Sequence, residues 1–261
     1  MMIISHVFER KYNGFSWRCK NFLCIYHIFL KWLSKEDKIL KLLKTSWFQA
    51  DGIRTKKDRQ KLIVNREASE DFFAYGKDYY DGQPGLGYAG YNCDGRFNQA
   101  VKKIIHDQSL TKKCCILELG CAKGCILFEF YKEGLQHICG IDISEYALEN
   151  APEIIKPRLF NGPISNLNTV PSNTIDFIFS KDTFPHLTEE EIEQTISEIN
   201  RVTKPQISTC YIEVAIASNK EVEKNTLSWD PTHKTLKAGS WWLNKFDKIQ
   251  SDTYIYLKEL M

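Results

Sequence analysis

From residue 114 onward the chain alternates short apolar runs with segments whose apolar residues recur every three to four positions. The runs are residues 114–119, 137–142, 158–160, 175–180 and 209–217. Each is almost continuously apolar, which is the pattern of a strand buried on both faces. Between them, residues 123–134, 144–151 and 188–202 carry helical spacing. The last is the clearest helix. Thr188 can cap it, Glu191 three residues on completes a capping box, and Ile192, Ile196, Ile199 and Val202 share one face. The alternation predicts an α/β fold: a doubly wound, mostly parallel sheet with helices on both sides. Ligands of such sheets sit beyond the carboxyl ends of the strands.

Upstream the pattern is less regular. Residues 67–75 read as a short helix, and residues 96–106 as a longer one with Phe97, Val101, Ile104 and Ile105 on one face. Between them, residues 75–97 are dense in Gly, Tyr and Asp, the composition of a structured loop without strand or helix. Its tyrosines, Tyr79, Tyr80, Tyr88 and Tyr91, can form a lid or a packed connector. In the first 66 residues, Phe22, Ile25, Phe29, Trp32 and Leu33 fall at helical spacing, and Leu40 and Leu43 extend the stripe. Lys31, Lys35, Lys38, Lys41 and Lys44 surround it. The apolar stretch, residues 21–33, is shorter than the ~20 residues that span a bilayer, and it lacks a small-residue cleavage site. A basic amphipathic helix can lie on an anionic membrane; packing on the body or on a second subunit is the favoured role. Residues 55–61 read as a polar linker. The organisation expected is an N-terminal extension over residues 1–66 and a catalytic domain over residues 67–261.

Composition narrows the class. With 43% hydrophobic and 26% charged residues, a disordered chain, a collagen and a polytopic membrane protein are excluded. The formal charge of +2 conceals an asymmetry, since residues 1–66 carry +10 and the remainder −8. Nine cysteines cannot all pair within one chain. Several, such as Cys115, Cys139 and Cys210, sit inside apolar runs. They read as reduced thiols of a cytoplasmic protein. No pair of spaced Cys-x-x-Cys units or Cys/His set suggests a metal, so Cys114, Cys115, Cys121 and Cys125 are expected to be small buried side chains.

Residues 116–124, ILELGCAKG, carry the chemistry. An apolar strand ends in Glu118 and turns through Gly120, which permits a tight bend and a close ligand. Gly124 then opens a helix near the sheet. About twenty residues on, the second strand ends in GIDIS at Asp142, placed to accept both hydroxyls of a ribose. The dinucleotide fingerprint needs Gly-x-Gly-x-x-Gly. Here Glu118 would also repel a diphosphate, whereas a nucleoside with a cationic tail suits it.

ELGCAKG followed by GIDIS resembles motif I and the acidic motif of the class I S-adenosylmethionine-dependent methyltransferases, and the resemblance covers residues 96–216. IDFIFSKDTFPHL (175–187) is similar to that family's fourth strand and following loop, and INRVTKP (199–205) to the helix end before its fifth strand. The resemblance implies S-adenosylmethionine as cofactor, with contacts from Glu118, Gly120, Cys121, Gly124, Asp142, Ile143, Ile164 and Ser180. The chain departs from the family in three places. Ala122 replaces the middle glycine of motif I, Pro163 replaces an acidic residue after the third strand, and residues 252–260 offer one C-terminal strand where the family has a hairpin. Either the sheet is one strand short at the C-terminus or the chain is truncated.

A hydroxyl acceptor needs its proton removed, and histidine has the most suitable pKa. His186 follows the fourth strand, and His233 lies in SWDPTHKT (228–235) with Asp230 to orient it. Helix capping accounts for His186 equally well, and an Asx-Pro turn is the plain alternative for Asp230 and His233. The reading is a methyltransferase acting on a small molecule or glycan at oxygen. Base amines are disfavoured because SKDTFPHL stands where an (N/D)PP(Y/F) motif would, so a nucleic-acid partner is not expected; protein arginine is disfavoured for want of a glutamate pair. A non-catalytic scaffold of the same fold is the alternative from another class. The acceptor and any membrane or protein contact of the arm remain open at this level.

Overall fold

The computed structural model describes residues 40–48, 67–83, 88, 90–205 and 207–260. The chain divides after Asp37 into two compact units, and every described residue belongs to the second. The expected helix at residues 21–33 and the linker at residues 55–61 lie outside the described residues.

Among the described residues, seven strands form one sheet: β1 (Leu40–Leu42), β2 (Ile116–Leu119), β3 (Ile138–Asp142), β4 (Leu159–Asn161), β5 (Phe177–Lys181), β6 (Thr209–Ala215) and β7 (Asp252–Lys258). Their order is β1-β7-β6-β5-β2-β3-β4, and every pair runs parallel. The α-helices among the described residues are α1 (Glu70–Phe73), α2 (Lys77–Asp81), α3 (Asn98–Asp107), α4 (Cys125–Lys132), α5 (Glu145–Glu149), α6 (Glu189–Val202), α7 (Lys220–Trp229) and α8 (Gly239–Phe246). The central strands are apolar on both faces because both faces are covered: β2 and β6 are buried at every residue. One core cluster runs through Leu117, Ile178, Ile196 and Trp242. The other runs through Ile116, Phe130, Phe177 and Tyr211. The capping box of α6 is present, with Thr188 and Glu191 each bonding the other's backbone N–H. None of the described helices is long and apolar enough to cross a membrane.

Three expectations need correction. The sheet is not one strand short, because β1 supplies an edge strand beside β7. The stripe residue Leu40 is therefore extended, not helical, and pairing with Thr253 satisfies a backbone that would otherwise be an open edge. The boundary at residue 67 falls too late for the same reason. Phe48 is fully buried, and Trp47 stacks on Tyr211 at 4.8 Å. Third, the tyrosine-rich stretch is not purely loop, since it contains α2. Asp81 of α2 accepts from Lys123 Nζ at 2.5 Å and Tyr146 Oη at 2.7 Å, which pins the segment to the turn after β2.

The chain leaves β2 for β3 and β4 on one side, then returns to β5 on the other. That reversal opens a crevice at the carboxyl ends of β2 and β5, where the glycine turn lies.

Candidate functional site

A cavity of about 350 Å³ opens at this reversal, lined by Glu118, Gly120, Asp142, Ile143, Ile164, His186 and His233 among others. The turn after β2 is tight. Gly120 has φ +76°, and an added Cβ would fall 2.0 Å from Thr183 Oγ1, so only glycine fits. Ala122 is also left-handed, at φ 49°. The family's preference for glycine there is thus a backbone preference, and alanine carries its strain while its N–H donates to Asp142 Oδ2 at 2.7 Å. Asp142 Oδ1 accepts from the Ser144 N–H at 2.9 Å. Burial raises the Asp142 carboxyl, and these amides moderate the effect.

Glu118 is 2% exposed, and its Oε2 has no hydrogen-bond partner. Burial, reinforced by the Asp142 charge, pushes its carboxyl well above the usual carboxylate range. A buried carboxyl with one unpartnered oxygen, beside a second carboxyl, suits a cationic ligand. Ile143 and Ile164 stand with Pro163 as an apolar wall of the same cavity.

The remaining expected donor contacts lie elsewhere. Cys121 is buried and packs beneath the turn, its Sγ 2.7 Å from where a Cβ on Gly140 would sit. Gly124 caps α4 at φ 66°. Its bare Cα accommodates Ile155, whose Cδ1 would be 2.7 Å from a Cβ there. Ser180 Oγ donates to the Leu119 carbonyl at 3.0 Å and so ties β5 to β2. None of the three lines the cavity.

His186, Asp230 and His233 come together. His186 ends a short 3-10 turn after β5, and Asp230 is the C-cap of α7. The two imidazoles stack at 4.4 Å with an interplanar angle of 23°. His233 Nδ1 lies 2.9 Å from the Asp230 carbonyl. Because a carbonyl only accepts, His233 donates there. The Asp230 carboxylate accepts from Tyr79 Oη at 3.0 Å, from Thr232 N at 3.0 Å and from Thr232 Oγ1 at 2.6 Å. Burial opposes the Asp230 charge, but the imidazoles and the Thr232 donors outweigh it and lower its pKa. Burial, then the neighbouring His233, brings His186 down to about 4. His186 is therefore neutral near pH 7 and can accept a proton. Ligand atoms of the three residues lie within 4.8 Å of one another. Near-parallel stacked rings send their lone pairs alongside each other instead of toward one point, which suits proton transfer better than chelation.

Several site residues escaped the sequence. Thr232 sits between Asp230 and His186, and the bond from Tyr79, expected only in a lid or connector, to Asp230 spans 151 positions. Lys181, Asp182 and Lys258 also line the cavity. Asp182 Oδ2 accepts from Lys181 at 2.7 Å and Lys258 at 2.6 Å, and Lys258 also reaches Glu213 at 2.6 Å. The alternation of charge across β5, β6 and β7 was visible only once their register was known.

The sequence pattern of the methyltransferase domain family matches residues 116–206, from β2 to just beyond α6. Among solved structures, the YcgJ protein of Bacillus subtilis is similar at 19% identity over 57% of this chain and 67% of its own, with a TM-score of 0.46. A SAM-dependent methyltransferase of Archaeoglobus fulgidus is similar at 19% identity over 58% of this chain and 67% of its own, with a TM-score of 0.46. A methyltransferase solved in complex with a methyltransferase activator of Haloferax volcanii is similar at 18% identity, over 60% and 72% of the two chains, with a TM-score of 0.47. No curated protein matches. The parallel sheet reversing at β2, the glycine turn and the matched domain define a Rossmann-like methyltransferase. Residues 116–206 match the methyltransferase domain family, and the fold agrees with that of the class I S-adenosylmethionine-dependent methyltransferases, whose methyl donor is S-adenosylmethionine.

Proposed function

We propose that the chain methylates a hydroxyl oxygen of a small molecule or glycan. The observation that carries this reading is a single cavity lined both by the donor-side carboxyls, Glu118 and Asp142, and by His186, neutral near pH 7, with His233 stacked beside it. The site suits the donor. Glu118 offers the unpartnered Oε2 of a buried carboxyl to its cationic part, Asp142 offers both oxygens' remaining lone pairs to ribose hydroxyls, and Ile143, Pro163 and Ile164 offer an apolar wall to the purine. S-adenosylmethionine supplies a methyl on a positively charged sulfur; transfer forms an O–CH3 bond, and the C–S electron pair stays on sulfur.

This chain's task is then alignment, exclusion of water and removal of one proton. Confinement of both reactants can lower such a barrier by up to ~7–11 kcal/mol in the best cases. His186, neutral and at the cavity wall, takes the hydroxyl proton. Tyr75, Tyr79, Tyr80, Tyr88 and Tyr91 line the same space, and burial keeps their phenols protonated, Tyr75 at about 12. Aromatic walls with hydroxyl tips suit a sugar or polyol.

The test is transfer of an isotopically labelled methyl from S-adenosylmethionine to a panel of saccharides, phenols, amines and thiols, read by mass. The expected outcome is label on hydroxyl-bearing acceptors. His186→Ala should lower turnover by ~100-fold or more, the usual worth of a positioned base, with donor affinity unchanged. Label confined to amines or thiols would refute the oxygen assignment.

A further inference from the structure

The contact between Thr232 and His186 has a fixed hydrogen-bond direction. Asp230 collects three donors, the Thr232 N–H, the Thr232 hydroxyl and the Tyr79 hydroxyl. A carboxylate so supplied is ionised and can only accept. Thr232 has one hydroxyl hydrogen, and at 2.6 Å it goes to Asp230 Oδ1. Toward His186 Nδ1, 2.9 Å away, Thr232 Oγ1 can therefore only accept. The Nδ1 atom must carry the hydrogen, and the lone pair is left on Nε2. The backbone holds this arrangement from both sides. The Lys234 and Thr235 N–H groups donate to the Pro185 carbonyl at 2.8 and 2.9 Å, and Thr235 Oγ1 donates to the Leu187 carbonyl at 2.7 Å. The segment carrying Thr232 is thus stitched to the turn carrying His186.

We propose that Thr232 is a positioning residue: it relays the Asp230 charge to His186 Nδ1, fixes the Nδ1–H tautomer, and so makes His186 Nε2, and not His233, the base. The relay deepens the hydroxyl-acceptor reading and rests on it for the identity of the proton taken. In the step, the acceptor O–H proton moves to His186 Nε2 while the oxygen lone pair forms the new bond to carbon. The resulting imidazolium then has its Nδ1–H directed through Thr232 to an anion. A low-pKa histidine is always free to accept a proton but weakly basic. A hydroxyl-bridged carboxylate offsets that weakness without a direct ion pair that would keep the ring permanently charged. His233 has no hydroxyl relay: its Nδ1 donates to the Asp230 carbonyl at 2.9 Å, and the Asp230 carboxylate stands off at 4.0 Å.

The experiment reads the tautomer without needing the acceptor. Ring ¹⁵N NMR of the full-length chain, with the His186 signals assigned by their loss in His186→Gln, should show Nδ1 protonated and Nε2 bare. Thr232→Val should populate the Nε2–H form, and Thr232→Ser should restore the wild-type signature. Calorimetric affinity for S-adenosylmethionine should stay within twofold in both variants. Once a hydroxyl acceptor is in hand, Thr232→Val should lower kcat by 10–100-fold with KM little changed, and Thr232→Ser should recover most of it. An Nε2–H tautomer in the wild type, or a signature indifferent to Thr232→Val, overturns the relay. A Thr232-dependent Nδ1–H signature in a chain that methylates only amines or thiols would instead uphold the relay and remove the hydroxyl reading. If Thr232→Val fails to fold, the wild-type tautomer and the Thr232→Ser variant still decide.

Discussion

At the scale of single residues, the donor side rests on two buried carboxyls, one of which, Glu118, has an oxygen without a partner. Glu118 keeps its proton to higher pH than an ordinary carboxyl because burial and Asp142 oppose its charge. A bound sulfonium or ammonium favours the charged form, so binding should expel that proton. Donor affinity should then rise with pH from the usual carboxylate range and level off above the raised pKa. Titrations in buffers of different ionisation enthalpy check this, and Glu118→Gln should flatten the dependence. The strand–turn–helix pattern made Glu118, Gly120 and Asp142 legible, because each occupies a position with one possible direction relative to the sheet end. Cys121, Gly124 and Ser180 were placed in the right turn and strand, but spacing alone does not say where a side chain points. Thr232 gave no signal, since its meaning lies in a histidine 46 positions away.

At the scale of elements, strands β2 to β7 and helices α4 to α6 were legible because doubly buried strands and one-sided helices leave different periodicities. The edge strand β1 was not. Three residues carry too little pattern, and the lysines around Leu40 and Leu42 suited a helix equally well. The segment is anchored by the residues just C-terminal to it. Phe48 is fully buried against Phe179 at 5.0 Å and Tyr211 at 5.4 Å. Trp47 N–H donates to the Tyr211 hydroxyl at 3.2 Å, and Ser46 donates to Glu213. Phe48→Ala should therefore destabilise the chain by ~3–5 kcal/mol, the cost of emptying a core aromatic site. Urea unfolding measures it; a loss below ~1 kcal/mol would show that the segment is peripheral. Helices α7 and α8 were missed because residues 220–246 mix polar and aromatic positions without a clean stripe.

At the scale of the whole molecule, one cross-link changes the reading of the cysteines. Cys93 and Cys125 form a disulfide across 32 positions, whereas Cys114, Cys115, Cys121, Cys139 and Cys210 are free thiols. The expectation of uniformly reduced thiols is corrected at this pair. Sequence could not show it, because Cys125 opens α4 and Cys93 follows Asn92 at the cavity rim, far apart until the fold closes. Loop closure of this length should contribute ~3–4 kcal/mol. Unfolding with and without reductant should differ by about that amount, and peptide mapping without reduction should recover the linked pair.

The central claim is that one cavity binds the sulfonium nucleoside through two carboxyls and a bare turn. Calorimetric titration of the intact chain with S-adenosylmethionine and with its demethylated product tests it most directly. The account predicts saturable binding of both, weakened at least tenfold by Asp142→Ala, about the worth of one charge-assisted hydrogen bond. No binding of either at millimolar concentration, or an affinity unmoved by Asp142→Ala, would contradict it.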